Sequence, residues 1–476
     1  MKLNELIVTN PYLNLPSACY DKSVATPLTN PHLIHANTNV AKVLNIDTEE
    51  IETDTFVNLL NSEYSLEGSD IFSMCYAGHQ FGHFVPRLGD GRVINIGTIG
   101  TYHLQLKGAG ETLYSRHGDG RAVLRSSIRE YLLSEAMQAL SIPTTLCLGL
   151  IGSEHDVRRE SIEKAAIVCR VSTSWVRFGT FEYFASQGMK DELKALADYV
   201  IEESFAHISG KEDKYTRLFN DVVVITARLM AQWMSVGFNH GVMNTDNMSI
   251  AGLTIDYGPY AFLDDFKHDY VCNHTDEQGR YSFENQPSVA KWNLERLMMA
   301  LTPLTTIDKM QKALMMYDKI YTRYFHYYMC KKLGFEGTME GDPELIDDMF
   351  DMLELLHVDY TLFMRTLSHY EGEREALLST GLYHEPMNLW LDRYDTRTEN
   401  LDKIERKKQM LTSNPKYVLK NYMLEEAIDA AESGDYSMVD DLFTIAKKPF
   451  DEHVTFERWS KATPQEFKNQ RLSCSS

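Results

Sequence analysis

The chain has 476 residues, of which 43% are hydrophobic and 24% charged, and its formal net charge at pH 7 is −21. This length suits one large two-lobed enzyme or roughly two to three compact units, and the composition is typical of globular proteins. The acidity argues against general nucleic-acid binding, because neutralising phosphates needs basic surface. The longest apolar runs, such as 221–234, are shorter than the roughly 18 residues of a membrane helix. We therefore expect neither nucleic acid nor membrane as a partner, and we expect a monomer.

The seven cysteines are scattered, and no two of them stand at C-x-x-C spacing. This spacing predicts neither a zinc site nor a disulfide framework. The N-terminal stretch lacks the basic region and apolar core of a secretory signal, so we expect a cytoplasmic protein. The pair His79 and His83 has H-x-x-x-H spacing but lacks a third ligand and the Glu of H-E-x-x-H. We interpret it as structural.

The first part of the chain is predicted to be rich in strands. Residues 1–60 are rich in Asn and Pro and are expected to form an extension packed on the body. In 92–98 and 102–108, apolar and polar residues alternate and glycines interrupt them, as in a hairpin. Residues 121–140 have helical periodicity, and 165–181 is β-rich again.

Helical patterns dominate from about residue 190 onward. They cover 190–208, 214–236, 288–303, 306–333, 344–368, 372–382 and 417–435. We predict an α+β, two-lobed protein-kinase-like fold, in which a β-rich N-lobe with one long helix (61–187) precedes a larger helical C-lobe (188–476). Architecture of this kind does not by itself establish a function.

The stretch HGVMNTDNMSIAGLTIDYG (240–258) resembles the catalytic loop of protein kinases, H-R-D-x-x-x-x-N followed by D-F-G. His240 and Asn247 take the His and Asn positions, and Asp256 takes the position of the metal-binding Asp. Val242 stands where a kinase has its catalytic Asp, and a valine accepts no proton. The loop therefore indicates either an inactive kinase or a related fold with different chemistry.

A tight hairpin is predicted within this stretch. Residues 248–250 and 253–255 are short β segments joined by Ala-Gly at 251–252, a register that places Asn247 opposite Asp256. Opposed side chains have Cβ atoms about 5 Å apart, so the amide oxygen and the carboxylate could share one Mg²⁺. The alternative is a polar hairpin without a metal.

Asp246 precedes the metal-site Asn and has no counterpart in the kinase pattern. A carboxylate at this position could orient and deprotonate an acceptor hydroxyl. The alternatives are a carboxylate that supports neighbouring residues or one that caps a helix.

Lys107 ends a predicted strand, as does the nucleotide-binding lysine of kinases. Its partner would be a Glu on the following helix, and two candidates exist, Glu130 and Glu135. We prefer Glu130, which lies about two turns into the helix on an inward edge. The Gly-rich turn RLGDGR (87–92) stands where a kinase places its phosphate-covering loop, although two glycines in a turn are a weak signal.

Arginines occur where a kinase would have an apolar slot for adenine. Arg170 and Arg177 lie in the β-rich stretch 165–181, and Arg116, Arg121 and Arg125 lie near the start of the long helix. Guanidinium groups suit phosphates and do not suit a neutral base. The cluster therefore predicts a nucleotide in reversed orientation, reacting at its α-phosphate, with AMP transferred and pyrophosphate released. The alternative, ion pairing with surface carboxylates, is stronger for Arg116 and Arg125.

At these residues the chain resembles the selenoprotein O family, whose bacterial members are called YdiU. The resembling blocks are 76–92, 104–137, 169–179, 240–264 and 414–428. The resemblance implies a pseudokinase fold and a protein adenylyltransferase that modifies Ser, Thr or Tyr hydroxyls, itself included. It also implies Mg²⁺ or Mn²⁺, ATP bound in reversed orientation, and UTP as a further donor with Mn²⁺.

The resemblance also assigns roles to individual residues. Asp246 would be the proton acceptor, Asn247 and Asp256 would hold the metal, and Cys272 would form a redox-sensitive disulfide with Cys474. Nucleotide contacts would come from Gly89, Gly91, Arg92, Lys107, Asp119, Gly120, Arg170, Arg177 and Asp256. A kinase-type phosphotransferase and a non-catalytic nucleotide-binding scaffold remain the alternatives, the latter because of Val242.

Overall fold

The computed structural model describes residues 1–159, 161–468 and 470–472, which form twelve β-strands, sixteen α-helices and several short 3₁₀ turns. The strands are β1 (Tyr20–Lys22), β2 (His32–Ala36), β3 (Phe72–Met74), β4 (Gly78–Gln80), β5 (His83–Val85), β6 (Val93–Ile99), β7 (Tyr102–Lys107), β8 (Ala122–Val123), β9 (Leu146–Arg158), β10 (Ile162–Ser172), β11 (Phe238–Asn239) and β12 (Ala261–Phe262).

Most of the helices follow the strands in the sequence. They are α1 (Thr38–Val43), α2 (Asp54–Leu60), α3 (Leu124–Ala139), α4 (Phe178–Ser186), α5 (Lys190–Ser204), α6 (Lys214–Ser235), α7 (Gln286–Ala300), α8 (Ile307–Met315), α9 (Tyr317–Leu333), α10 (Asp342–Leu355), α11 (Tyr360–Ser368), α12 (Glu375–Leu378), α13 (Glu385–Thr398), α14 (Lys403–Ser413), α15 (Asn421–Glu432) and α16 (Ser437–Lys447). None of the helices in the described ranges is long and apolar enough to cross a membrane.

One antiparallel sheet organises the first half of the chain. Its strand order is β1-β3-β6-β7-β10-β9-β2, and β8 pairs with β10 beside this path. The edge strands β1 and β2 both come from the first 60 residues, so this segment is part of the sheet and its core. The small pair β4–β5 stands apart from the large sheet.

The two faces of the sheet bury different sets of side chains, as the alternation of a strand requires. On β10, Cys169 belongs to a cluster that includes Val40 of α1 and Phe56 of α2. Its neighbour Val168 belongs to a cluster that includes Ile128 of α3. Helix α3 is therefore held between the sheet and the helical part of the chain.

The C-terminal helices return to the sheet. Helices α15 and α16 pack on α3, where Phe443 stacks on Tyr131 with ring centroids 5.7 Å apart. Helices α10, α11 and α13 enclose a separate core that contains Phe363 and Trp390. Residues close to the end of the chain thus stabilise the helix that carries Glu130.

The predicted α+β class is confirmed, as are the strands at 92–98 and 102–108 and the long helix within 121–140. The two-lobed kinase-like arrangement and the domain limits 1–60, 61–187 and 188–476 stay predictions. Several elements went unpredicted, namely β9, α13, α14 and α16.

Three element predictions are corrected by the structure. The β-rich stretch 165–181 ends at Ser172, and Phe178 begins a helix. The single helix predicted at 344–368 is two helices, because His357 adopts a left-handed φ of 53° between them. The helix predicted at 306–333 is likewise divided, between Met315 and Tyr317.

The predicted hairpin at 248–255 is also wrong. Ser249 forms an antiparallel bridge with Arg177, and Thr254 forms a parallel bridge with Thr144, so the two segments pair with other parts of the chain. A 3₁₀ turn, Thr245–Asn247, precedes them. Long-range partners replaced the local pairing that the alternating pattern had suggested.

Candidate active site

A polar cleft of about 650 Å³ lies where β6, β7 and the 87–92 turn face the segments around 244–247 and 256–259. Its lining includes six cationic residues, Arg92, Lys107, Arg116, Arg121, Arg159 and Arg177. It also includes four aspartates, Asp90, Asp119, Asp246 and Asp256. An excess of cationic residues in a chain of net charge −21 is suited to an anionic ligand.

Lys107 lies at the end of β7, with its Nζ 2.6 Å from Oε2 of Glu130 on α3 and 4.0 Å from Oδ1 of Asp256. Burial lowers the pKa of the lysine, and the Glu130 charge only partly offsets this. The other candidate partner, Glu135, instead accepts a hydrogen bond from Asn37 at 2.7 Å. The ammonium group of Lys107, at the end of β7, thus contacts both α3 and the loop that carries Asp256.

Arg170 lies behind the wall of the cleft, and its side chain is only 1% exposed. It donates to Asp256 at 2.7 Å, to Glu130 at 3.1 Å and to the amide oxygen of Gln105 at 2.6 Å. Its guanidinium stacks on Trp175, 4.6 Å from the ring centroid. Arg170 thus holds Asp256, which lines the cleft, and Glu130, which lies behind it. A contact between Arg170 and the nucleotide stays a prediction.

Arg177 lines the cleft directly. One guanidinium nitrogen donates to the Asp256 carboxylate and, at 2.7 Å, to the backbone carbonyl of Asp246. Burial by itself raises the pKa of Asp256, but the charges of Arg177 and Arg170 outweigh it and hold that pKa well below its usual range. The Asp256 carboxylate is therefore ionised throughout the neutral range.

Asp246 is almost fully buried beside the cleft. Its Oδ2 accepts a hydrogen bond from Nε2 of Gln80 at 3.2 Å, while Oδ1 has no hydrogen-bond partner among the described residues. Burial raises the pKa of this carboxyl to about 7, against the lowering effects of Gln80 and Arg177. A buried carboxylate oxygen that lacks a donor is costly, and such atoms are expected at functional positions.

Asn247 ends the 3₁₀ turn that carries Asp246, and its amide nitrogen donates to the carbonyl of Val242 at 3.1 Å. This bond leaves the amide oxygen available as a ligand. Asp256 lines the same cleft and adopts a left-handed φ of 55°, a conformation uncommon outside glycine. An amide oxygen and an ionised carboxylate on one cleft match the hard oxygen donors that Mg²⁺ and Mn²⁺ prefer.

The three predicted glycines allow close backbone packing in the cleft wall. A Cβ added to Gly89, whose φ is +97°, would lie 2.3 Å from Cγ of Tyr114. A Cβ added to Gly120, at φ +67°, would lie 2.1 Å from the carbonyl carbon of Gly110. Gly91 packs similarly against the backbone of Tyr114. These positions favour glycine because the neighbouring chain leaves no room for a side chain.

The other basic residues of the region differ in their partners. Arg125 pairs with Glu163 at 3.1 Å, which is the ion pairing predicted as its alternative role. Arg121 donates to the backbone carbonyls of Thr26 and Pro27 at 2.6 and 3.3 Å.

Arg92 and Arg116 line the cleft without a carboxylate within 4.0 Å among the described residues. They are thus the cationic groups with most capacity for an incoming anion.

Asp119 lines the cleft together with an arginine that binds its carboxylate. Arg159, which the sequence analysis did not single out, binds it with two bonds of 2.7 and 2.9 Å. The Arg159 hydrogen bonds hold the pKa of Asp119 below its ordinary value. Arg159 follows the end of β9 and meets the 116–121 loop only through long-range packing.

His79, the first residue of the H-x-x-x-H pair, and His240 each have a structural partner, whereas His83 is exposed. Nδ1 of His79 lies 2.5 Å from the Glu182 carboxylate. His240 stacks on Trp233 and its Nε2 lies 2.9 Å from the carbonyl oxygen of Ile255. Within the described ranges, no group of three or more His, Cys, Asp or Glu side chains is arranged to hold a metal.

Several residues of the cleft escaped the sequence analysis as individual positions. Gln80 and Tyr76 belong to the resembling block 76–92, but glutamine and tyrosine carry no spacing signal of their own. Asp90 lies between the two glycines of the turn, and burial raises its pKa. Its Oδ2 accepts the backbone N–H of Met74 at 3.0 Å.

The structure describes only one of the two cysteines of the predicted disulfide. Cys272 is buried, whereas Cys474 lies outside the described residues. The described part of the tail ends at Leu472, whose N–H donates to the carbonyl of Cys272 at 2.8 Å. The N–H of His274 donates in turn to the carbonyl of Leu472 at 2.9 Å.

Comparison with known proteins identifies the family. A family model described as Protein adenylyltransferase SelO matches residues 2–447. The chain is 43% identical over 485 residues to the Protein nucleotidyltransferase YdiU of Myxococcus xanthus, covering 100% of this chain and 99% of that protein. It is 42% identical over 512 residues to that of Photobacterium profundum and 43% identical over 486 residues to that of Thiobacillus denitrificans, with the same coverage. The resemblance predicted from the motifs is confirmed: this chain belongs to the protein adenylyltransferase SelO family.

Proposed function

We propose that this chain, a protein nucleotidyltransferase of the SelO family, transfers AMP from ATP to Ser, Thr or Tyr hydroxyls of proteins and releases pyrophosphate. UMP transfer from UTP and self-modification are part of the proposal. The observation that carries it is the cleft itself, in which cationic residues face a buried carboxylate, Asp246, with one unpartnered oxygen. Val242 stands at the position of the kinase base, so proton transfer is assigned to Asp246 instead.

The cationic wall supports binding of the triphosphate. Lys107 and Arg177 approach the cleft from the sheet side, while Arg92 and Arg116 retain capacity for an anion. Phosphates held there would place the α-phosphate nearer Asp246, which is the reversed orientation that the arginines predict. Gly89, Gly91 and Gly120 would let the backbone approach the nucleotide, and Asp119 would contact it beside Arg159.

Asn247 and Asp256 would hold a divalent cation, and their donor atoms fit this role. The Asn247 oxygen is available, and the carboxylate of Asp256 keeps lone pairs beyond those used by Arg170 and Arg177. When bound, Mg²⁺ or Mn²⁺ would offset phosphate charge and polarise the α-phosphate. The two arginines fix the Asp256 carboxylate before any ligand arrives, which reduces the reorganisation needed.

In the proposed step, the carboxylate of Asp246 takes the proton of the acceptor hydroxyl. The hydroxyl oxygen forms a bond to the α-phosphorus, and the bond from that phosphorus to the oxygen bridging to the β-phosphate breaks. Pyrophosphate leaves with the electron pair of that bond. A carboxyl whose pKa is about 7 is well matched to accepting a proton near neutral pH.

The proposal retains the two-lobed, kinase-like arrangement. The Lys107–Glu130 ion pair between a strand end and the long helix supports it, since kinases use such a pair at the equivalent place.

The proposal also includes a redox-sensitive disulfide between Cys272 and Cys474, which would be open in a reducing cytosol. The hydrogen bonds of Leu472 beside Cys272 support this bridge, and Cys474→Ala should remove any dependence of activity on reductant.

Labelled ATP tests the activity. Label from the α-phosphate should appear on protein, and label from the γ-phosphate should appear in pyrophosphate. Asp246→Asn should lower transfer by about 100-fold or more while ATP still binds. Asp191→Asn, an exposed control, should leave transfer unchanged. Protein labelled only from the γ-phosphate would indicate a kinase-type phosphotransferase.

A further inference from the structure

Strand β4 and the residue after it lie along the segment that carries the proposed base. The backbone N–H of His79 donates to Oγ1 of Thr245 at 2.7 Å, and that of Phe81 donates to the amide oxygen of Asn244 at 3.3 Å. Between them, the side chain of Gln80 donates to Asp246. Three successive residues of one segment thus bond three successive residues of the other.

Two glycines permit this close approach. A Cβ added to Gly78 would lie 2.4 Å from Oδ1 of Asp246. A Cβ added to Gly179, at the start of α4, would lie 2.1 Å from the carbonyl oxygen of Ala77 and 3.2 Å from Cα of Asp246. Contacts this short exclude any side chain, so the backbones of β4 and α4 form the wall against which Asp246 is packed.

A closed set of hydrogen bonds fixes β4 to the 3₁₀ turn. The hydroxyl of Thr245 donates to one oxygen of Glu182, and the other oxygen of Glu182 bonds the imidazole of His79 at 2.5 Å. The N–H of His79 closes the ring by donating to Thr245. Glu182 and Thr245 are both buried. Because every bond in the ring is satisfied, β4 and the turn are held as one unit.

We propose that Gln80 is a positioning residue for this reaction, which holds the carboxylate of Asp246 at the edge of the cleft through Oδ2. The inference rests on the proposed role of Asp246 as the base. Among the described residues, Oδ1 is buried against Gly78 and has no donor, whereas Oδ2 has one, so the amide of Gln80 fixes the direction of the carboxylate.

The chemistry of the donor agrees with this role. A neutral amide orients a carboxylate without the full charge of a guanidinium, which would make the carboxylate a weaker base. Arg177 lies close by, yet its hydrogen bond goes to the backbone carbonyl of Asp246 and not to the side chain. The carboxylate is thus oriented by Gln80 while its basicity is retained.

Two substitutions of Gln80 separate the hydrogen bond from the shape of the side chain. Gln80→Leu removes the donor, and Gln80→Glu keeps the shape but replaces the amide N–H by a second carboxylate. The measurements are self-labelling from α-labelled ATP at saturating concentration, the dissociation constant of ATP by calorimetry, and the melting temperature. Gln187→Leu, at an exposed position after α4, is the matched control.

We expect both Gln80 variants to label about 10- to 100-fold more slowly, with an ATP dissociation constant within about 2-fold of the parent. Gln187→Leu should behave as the parent. Full activity of Gln80→Glu, or an equal loss in Gln187→Leu, would overturn the positioning role. If Asp246→Asn also retained full activity, the proposed base itself would fail. Loss in Asp246→Asn with none in the Gln80 variants would refute this inference alone.

Discussion

The ammonium group of Lys107 lies 2.6 Å from the carboxylate of Glu130, joining the end of β7 to the middle of α3. The same carboxylate accepts from Arg170 through its other oxygen. Glu130 thus neutralises two cationic groups at the back of the cleft. This shared carboxylate therefore fixes the position of the lysine in the cleft.

Replacing Lys107 with Met should lower AMP transfer by about 100-fold, because a preorganised charge in a buried site is lost. The apparent affinity for ATP should also fall. Both are measured by α-labelled transfer across a range of ATP concentrations. Lys164→Met, on the exposed end of β10, removes a surface ion pair with Asp156 and should leave both unchanged. Parent-like transfer in Lys107→Met would contradict the assigned role.

Asp256→Asn should destabilise the protein even without nucleotide or metal. The substitution leaves two buried guanidinium groups without their shared carboxylate, which costs about 3 kcal/mol in the free energy of unfolding. Urea unfolding at pH 7 with a chelator present measures it. Because the folded pKa of Asp256 is depressed, its contribution exists above the ordinary carboxyl pKa and is lost on acidification.

The difference between the parent and Asp256→Asn should therefore shrink as the pH falls below about 4. Asp198→Asn is the control, since its ion pairs with Lys194 and Lys214 lie at the surface. We expect it to cost less than about 1 kcal/mol. An Asp256→Asn protein as stable as the parent would show that the two arginines do not depend on this carboxylate.

Gly78→Ala should slow transfer by about 10-fold or more without preventing ATP binding, because the added methyl group displaces Oδ1 of Asp246. The φ angle of Gly78 lies outside the left-handed region, so the alanine backbone is unstrained. Turnover and ATP binding are measured separately. Gly381→Ala serves as the control, since its added carbon would approach no atom closer than 3.3 Å. Normal turnover in Gly78→Ala would argue against the tight packing of Asp246.

Lys332 lies away from the cleft, and it should make the free energy of unfolding depend on pH. Its Nζ is buried between α9 and α14 and donates to the carbonyl of Ser413 at 3.0 Å and to Asn414 at 3.3 Å. Burial lowers its pKa from 10.5 to about 7. Between these values the unfolded chain binds a proton that the folded protein does not, so stability should rise with pH above about 7.

The slope from this one group is at most about 1.4 kcal/mol per pH unit. Urea unfolding at several pH values between 6 and about 9 measures it. In Lys332→Met this part of the dependence should disappear, whereas Lys331→Met, at the exposed neighbouring position, should keep it. The same slope in all three proteins would mean that Lys332 retains its ordinary pKa in the folded state.

The sequence by itself determined the elements and residues that have a local pattern of their own. Alternation at 92–98 and 102–108 predicted strands, and helical periodicity predicted α3. The order and spacing of Lys107, Asn247 and Asp256 indicated a kinase-like site, and the longer blocks around them carried the resemblance to the family.

Only the tertiary structure decided the contacts between distant parts of the chain. Ser249 and Thr254 pair with Arg177 and Thr144 instead of with each other, since long-range bridges satisfy their backbones. The 3₁₀ turn that carries Asp246 is held by β4, about 165 residues earlier in the chain. Gln80 has no periodicity or charge that singles it out in the sequence. Its role depends on two glycines that bring separate backbones together, and packing of that kind leaves no local pattern.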